Sequence, residues 1–319
     1  MNAEDILAPL DEEQRRVATT LLGPVRVLAG AGTGKTRAIT HRIAYGVATG
    51  VYPPSRVLAL TFTARAAGEL RARLRDLGTG AVPARTFHAA ALSQLGFFWP
   101  QVVGGPMPQL VDGKARLIAQ AAADLRLRLD TAALRDIAAE IEWRKVSRLS
   151  VEQWARAERA LPGSLRLDQA AELLQRYEDL KDERRRLDFE DVLLACAGMI
   201  EVEERVAQQV REQYRFFVVD EYQDVNPLQH ELLTAWLGDR DDLCVVGDAS
   251  QTIYSFTGAT SEYLLRFSAE HPNAELVRLE SNYRSSAAIV DAANRLVRRS
   301  PGALELHAAA EGPGVPAGA

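Results

Sequence analysis

The sequence predicts an α/β protein: a parallel sheet covered by helices on both faces and interrupted by an all-helical insertion. Three observations carry this expectation. Short apolar runs recur along the chain, each followed by polar or glycine residues and then by a helical pattern. The first run ends in a turn containing Gly30, Gly32 and Gly34. Between about 100 and 210 such runs cease, and segments rich in leucine and alanine replace them.

VRVLA (25–29), RVLALTF (56–62), FFVVD (216–220), LCVVGD (243–248) and ELVRLE (275–280) are apolar without clean alternation, as strands buried on both faces of a parallel sheet read. VPARTF (82–87) is a weaker sixth strand. A helix after Thr63 should run to Leu77, where Gly78 and Gly80 break it. WPQVVGGPMP (99–108) reads as a linker into the insertion. There, Leu134, Ile137, Ala138 and Ile141 recur at spacings of three and four, one apolar stripe on one helix, and Trp143 is expected in inter-helix packing. Asn226 and Pro227 suit the N-cap and first turn of a later helix. The expected division is an α/β domain over 1–99 and 211–298, a helical insertion over 100–210, and a flexible tail over 299–319.

Composition narrows the class. The chain has 319 residues, long enough for two domains, with 43 Asp and Glu against 38 Lys and Arg and a net charge of -5. Bulk positive charge is excluded as the means of holding a partner, although a local basic groove is not. Cys196 and Cys244 lie far apart with no zinc-like spacing, so buried thiols in a reducing compartment are expected. No run of about 18 apolar residues occurs, and the start MNAEDILAPLDEEQ is unlike a signal peptide. A cytoplasmic protein is the expectation.

AGAGTGKT (29–36) matches the phosphate-loop pattern, with Ala29 where glycine is usual. Glycines let the N–H groups of Gly30, Ala31, Gly32, Thr33 and Gly34 converge on phosphate oxygens, and the following helix adds its N-terminal field. Lys35 would reach the terminal phosphates and Thr36 would ligate Mg2+, with Arg37 next in the nucleotide-contacting set. A merely structural turn has no need of Gly34, Lys35 and Thr36 in that order. In FFVVDEYQD, Asp220 stands at a strand end where it could hold Mg2+, and Glu221 could activate water. Adjacent acids at an exposed strand end would be solvated surface, but this strand is too apolar for that. ATP and Mg2+ are therefore the expected ligands of a P-loop NTPase. The long separation of Thr36 from Asp220 suggests that something besides nucleotide is handled.

Further stretches complete a family pattern. They are PLDEEQRR (9–16), ALTFTARAAGEL (59–70), ARTFHA (84–89), RLDFEDVLL (186–194), VVDEYQDVNPLQ (218–229), VVGDASQTIYSFTGA (245–259) and LESNYRSS (279–286). From residue 8 to about 295 the chain resembles the superfamily 1 DNA helicases of the UvrD/Rep/PcrA type. The resemblance implies a RecA-like motor domain 1A with an inserted helical domain 1B, working 3'-to-5' on single-stranded DNA. It implies that Gln14 reads adenine, Tyr283 stacks on the base, and Gln251 and Arg284 sense the terminal phosphate. Phe62, Thr63, Arg65, His88, Tyr254 and Phe256 would meet DNA, and Asp224 and Gln229 would couple the next helix to the nucleotide. Of the other arginines after Thr63, Arg71, Arg73 and Arg75 read as a solvated face.

The chain departs from the family at Thr257, where close members carry arginine, which puts any network built on that arginine in doubt. Nothing after LESNYRSS matches the family's second motor domain. The chain alone is thus expected to bind ATP and DNA without unwinding, needing a second motor domain or subunit. A non-motor ATP- or DNA-binding subunit of a DNA-repair complex is the alternative. A phosphate-loop kinase or transporter ATPase is weaker, since no acceptor pocket or signature loop is visible.

Overall fold

The computed structural model describes residues 2–157, 159, 161, 165–252 and 258–309. Ten strands occur among them: β1 (Val25–Ala29), β2 (Val57–Thr61), β3 (Ala84–Thr86), β4 (Gln109–Leu110), β5 (Arg186–Leu187), β6 (Phe216–Val219), β7 (Leu243–Gly247), β8 (Glu275–Leu279), β9 (Ser281–Asn282) and β10 (His307–Ala308). Six form one sheet in the order β3-β2-β6-β7-β1-β8. Every pairing in it is parallel, so all six carboxyl ends share one edge. That edge is where open parallel sheets place their sites.

The helices in chain order are α1 (Ala3–Leu7), α2 (Glu12–Thr19), α3 (Lys35–Ala48), α4 (Ala64–Asp76), α5 (Phe87–Val102), α6 (Lys114–Asp124), α7 (Thr131–Val146), α8 (Val151–Ala155), α9 (Leu167–Glu183), α10 (Phe189–Val202), α11 (Glu204–Gln213), α12 (Pro227–Leu237), α13 (Glu262–Glu270) and α14 (Ala287–Val297). Short polar side chains begin many of them. Thr63 Oγ1 accepts from Ala66 N to start α4, and Thr86 Oγ1 accepts from Ala89 N to start α5. Asn226 and Gln229 form a capping box ahead of Pro227 in α12.

The strands are wholly apolar because both faces are covered. Val25, Val27, Val57, Ala59, Phe216 and Val218 face one core, closed by Ile39 and Ile43 of α3 and Leu70 and Leu74 of α4. Leu28, Leu58, Leu60, Phe217 and Val219 face the other, closed by α5, α10, α11 and α12 around Trp236. A third core belongs to the insertion: Leu117, Ile118, Ile137, Ile141, Trp154, Leu173, Leu174 and Tyr177, from α6 to α9. α10 and α11 thus bury their apolar sides against the sheet. Among the described residues, no helix is long and apolar enough to cross a membrane.

A buried charge cluster joins the insertion to that sheet core. Lys145 Nζ of α7 lies 2.7 Å from Asp188 Oδ2 and 2.5 Å from Asp191 Oδ1. Lys181 of α9 reaches Glu178 at 2.7 Å, Asp188 at 3.3 Å, and Asp191. Arg144 pairs with Glu178, and Tyr177 Oη donates to Asp188 Oδ2 at 3.0 Å. Three bases meet three acids, so the burial is balanced. Despite burial, which alone would raise its pKa, Asp188 is held well below the usual carboxylate range by the two ammonium groups.

Residues 299–309, read from sequence as part of a free tail, fold back. Leu304 is buried, and β10 pairs in parallel with β9, bringing Leu306 against Gly30. The apolar Leu304 and Leu306 hold this stretch down. Residues 310–319 lie outside the described residues.

Candidate nucleotide site and nucleic-acid face

β1 ends at Ala29, and the chain passes through residues 30–34 into α3 at Lys35. Gly32 and Gly34 hold φ of +75° and +81°, the left-handed region that disfavours a Cβ. A Cβ on Gly34 would stand 2.6 Å from Gln14 Nε2, and one on Gly32 would stand 2.9 Å from Arg284 Cβ. Bonds from neighbouring segments and one from within hold the loop. Gln14 Nε2 donates to Thr33 O (3.0 Å), Thr33 Oγ1 to Gly30 O (2.9 Å), and Asn282 Nδ2 to Ala31 O (2.6 Å). Tyr283 N donates to Gly32 O (2.9 Å). Four successive carbonyls each accept one bond, which fixes the orientation of the peptide units between them.

The carboxylates arrive from β6, two strands away in the sheet. Asp220 N donates to Leu60 O of β2 (2.9 Å), and the residue is buried. Burial, with the negative charge of Glu221, pushes its carboxyl up to about 6, while Lys35 pulls the other way. Glu221 adopts φ +53°, a conformation that costs a non-glycine residue about 1–2 kcal/mol. Its carboxylate Oε2 lies 3.0 Å from Lys35 Nζ. Gln223 Nε2 donates to the same oxygen (2.9 Å), and Gln223 Oε1 accepts from Asp248 N (3.1 Å) at the end of β7. Gln251 Nε2 in turn donates to Asp248 Oδ2 (2.6 Å). A polar chain therefore runs from Lys35 through Glu221, Gln223 and Asp248 to Gln251.

These groups border a cavity of about 470 Å³. Gln14, Gly30, Ala31, Gly32, Gly34, Lys35, Thr36, Arg37, Glu221, Gln251, Tyr283 and Arg284 all line it. Ala29, Thr33 and Asp220 are buried and do not line it. Tyr283 stands half exposed at the rim, its hydroxyl donating to the Asp11 carboxylate. Two contributors went unread in the sequence. Arg73, exposed on α4 as a solvated face requires, also lines the cavity. Asn282 fastens the segment carrying Tyr283 and Arg284 to the loop, and its Oδ1 accepts from Arg284 N (2.9 Å) and Ser285 N (2.8 Å). Its place directly before Tyr283 and Arg284 was the available signal.

Phe62 and Thr63 follow β2, and His88 follows β3, on the same sheet edge. Phe62 is half-buried, its ring centroid 6.1 Å from that of Phe87. Thr63 and Arg65 are exposed, and Arg65 Nε pairs with Glu69 at 2.9 Å. The His88 ring meets Phe189 edge-on at 5.7 Å. Burial, helped by the charge of Lys114, pushes His88 down to about 4, so it is neutral at pH 7. Phe189, unremarked in the sequence, is 54% exposed at the start of α10, an aromatic face available for stacking. Tyr254, Phe256 and Thr257 lie outside the described residues. Asp224 and Gln229 are buried near the site, on the segment leading into α12.

Comparison with known proteins bears on this geometry. Residues 10–272 match the family described as the UvrD/REP helicase N-terminal domain. The chain is 50% identical over 313 residues to the ATP-dependent DNA helicase UvrD2 of Mycobacterium tuberculosis, a match covering 94% of this chain and 45% of the relative. It is 32% identical over 306 residues to the ATP-dependent DNA helicase PcrA of Leuconostoc citreum, covering 94% and 40%. The ATP-dependent DNA helicase UvrD1 of Mycobacterium tuberculosis is also similar, at 32% identity over 325 residues, covering 95% and 41%. The chain thus spans less than half the length of these relatives.

Proposed function

The chain belongs to the UvrD/Rep helicase family, and from that premise we propose that it is the ATP-binding and ATP-hydrolysing N-terminal half of a 3'-to-5' DNA helicase acting on single-stranded DNA. The observation that carries the reading is the 3.0 Å contact of Lys35 with Glu221 across the mouth of the glycine loop. It brings the two chemistries that ATP hydrolysis requires, phosphate capture and water activation, to one cavity from distant parts of the chain.

ATP would enter with its phosphates over residues 30–34 and its base beside Gln14 and Tyr283. Lys35 would exchange Glu221 for a phosphate oxygen, and Glu221, freed, would orient and deprotonate the attacking water. Gln251 and Arg284, with Arg73, would face the terminal phosphate, where guanidinium charge favours the transition state. The hydroxyl of Thr36 and the carboxylate of Asp220 are hard oxygen donors of the kind Mg2+ takes, and the cavity lined by residues 30–32 and 34–36 has room for phosphates. Bound there, Mg2+ would neutralise charge on the phosphates.

DNA would cross the sheet edge past Phe62, Phe189 and His88, with Tyr254 and Phe256 assigned the same role from sequence. Stacking on aromatic faces is indifferent to sequence, as a motor requires. Gln251, bonded through Asp248 to Gln223, would couple this face to the nucleotide. The α/β domain and the helical insertion are proposed as motor domains 1A and 1B, working in the cytoplasm. Translocation needs two domains that close on nucleotide, so these 319 residues by themselves are proposed to turn over ATP without unwinding duplex. Ile289 and Leu296, seven apart on α14 and exposed, suit a surface that a second motor domain or subunit would cover.

The test is phosphate release with and without oligo-dT. Turnover stimulated by DNA supports the reading. ATP binding without turnover under either condition favours a non-motor module instead.

A further inference from the structure

β3 is the edge strand of the main sheet, and a groove of about 590 Å³ runs beside it. Arg71 and Arg75 of α4, Arg85 of β3 and Ala89 of α5 border it, together with the turn around Gly80 and Pro83. Arg71 and Arg75 are four apart, one above the other on one helix face, while Arg73 between them points to the ATP cavity. The exposed arginines of α4 thus turn towards two different cavities.

No aspartate or glutamate lines the groove. Arg71 donates to Ala84 O, leaving most of its fork free, and among the described residues none of the three arginines pairs with a carboxylate. Arg65, on the same helix, does find one in Glu69. In a chain whose acids outnumber its bases, three guanidinium groups facing one cleft without a counter-charge are a standing electrostatic demand for an anion. The remaining lining is glycine, alanine, proline and the buried Val82, so no large side chain fills the space and no apolar anchor is offered to a protein partner. Ala89, which lines the groove, is next to His88 in the first turn of α5.

We propose that this groove holds the phosphate backbone of the single strand beyond His88, extending the DNA path from the strand ends down the edge of the sheet. The proposal rests on the reading of the Phe62 and His88 face as a DNA path. Arginine forks grip phosphate oxygens bidentately and without regard to base, so Arg71, Arg75 and Arg85 add affinity and register but no sequence preference.

The experiment measures anisotropy of labelled oligo-dT of increasing length with the full chain, for wild type and for the triple variant Arg71→Gln/Arg75→Gln/Arg85→Gln. Wild-type affinity should keep rising with length after the variant has reached its plateau, while the shortest oligonucleotides bind both alike. Three lost phosphate contacts should lower the slope of log K against log salt by about 2. The wild-type advantage on long strands should therefore shrink about sixteenfold between about 50 and about 200 mM salt. Arg71 also holds Ala84, so Arg75→Gln/Arg85→Gln, which keeps that bond, serves as the second variant and should show about two-thirds of the slope change. ATP binding unchanged in both variants shows that they are folded. Variants with the wild-type length dependence and salt slope overturn the proposal and assign the groove to solvent or an acidic protein. A wild type that binds no oligonucleotide of any length overturns the proposal together with the DNA reading beneath it.

Discussion

Glu221→Gln should separate ATP binding from ATP turnover, in opposite directions. Lys35 and Glu221 are 3.0 Å apart, with side-chain exposures of 12% and 39%. A unit-charge pair at that distance is worth about 5 kcal/mol gross at an effective dielectric of about 20. Glu221 is more than a third exposed, and water screening and side-chain entropy reduce the net to about 1 kcal/mol or less. ATP must break this pair to engage Lys35, so removing the charge should tighten ATP binding by about two- to fivefold. Glutamine keeps an oxygen to accept from Gln223 Nε2, so the polar chain to Asp248 survives. Turnover, deprived of its base, should fall by about 10²- to 10⁴-fold. The assay pairs titration of a fluorescent ATP analogue with steady-state phosphate release. A variant retaining more than about a tenth of wild-type turnover, or binding ATP about tenfold more weakly, would refute the assignment.

Three further outcomes follow from the structure. Gly34→Ala places a Cβ at φ +81°, which should cost about 1–2 kcal/mol in unfolding free energy and weaken ATP binding; a variant as stable as wild type sinks the left-handed assignment. Lys181→Met leaves the buried Asp188 and the half-buried Glu178 and Asp191 facing two bases and should destabilise by about 3–5 kcal/mol in urea; a loss below about 1 kcal/mol would mean that the cluster is hydrated. His88 stays neutral in the folded chain down to about 4, whereas an unfolded histidine takes its proton near 6.5. The unfolded chain therefore binds more protons between those values, and stability falls as pH drops through 6.5 towards 4. His88→Gln should flatten the curve by about 2–3 kcal/mol between pH 7 and pH 4.5, and parallel curves for the two proteins would contradict burial of the ring.

The readable parts of this fold are those set by local pattern. Five apolar runs and the weaker VPARTF became the six strands of the sheet, because strands buried on both faces need no partner to declare them. The glycine loop was legible because its three glycines and Lys35 are contiguous. Which way a helix turns was not legible. Arg73 and Arg71 differ by two positions yet face different cavities, and only packing of Leu70 and Leu74 into the sheet decides which face is which. α10 is apolar enough to join either core, and its contacts with α5 and α12 place it against the sheet. The fold-back of Leu304 and Leu306 was masked by the glycine- and proline-rich stretch beyond them, which dominated the composition of that segment. Asn282 escaped notice because an asparagine bonding a distant backbone carbonyl leaves no periodic trace.

The central claim, that the loop ahead of Lys35 grips the phosphates of ATP, is tested most directly by calorimetric titration of ATP into wild type and Lys35→Ala in the presence of Mg2+. The account predicts saturable, Mg2+-dependent binding that weakens by about 10- to 100-fold when the ammonium is removed, the worth of one charge-assisted hydrogen bond. Equal affinity in the two proteins, or no ATP binding by folded wild type, would contradict it.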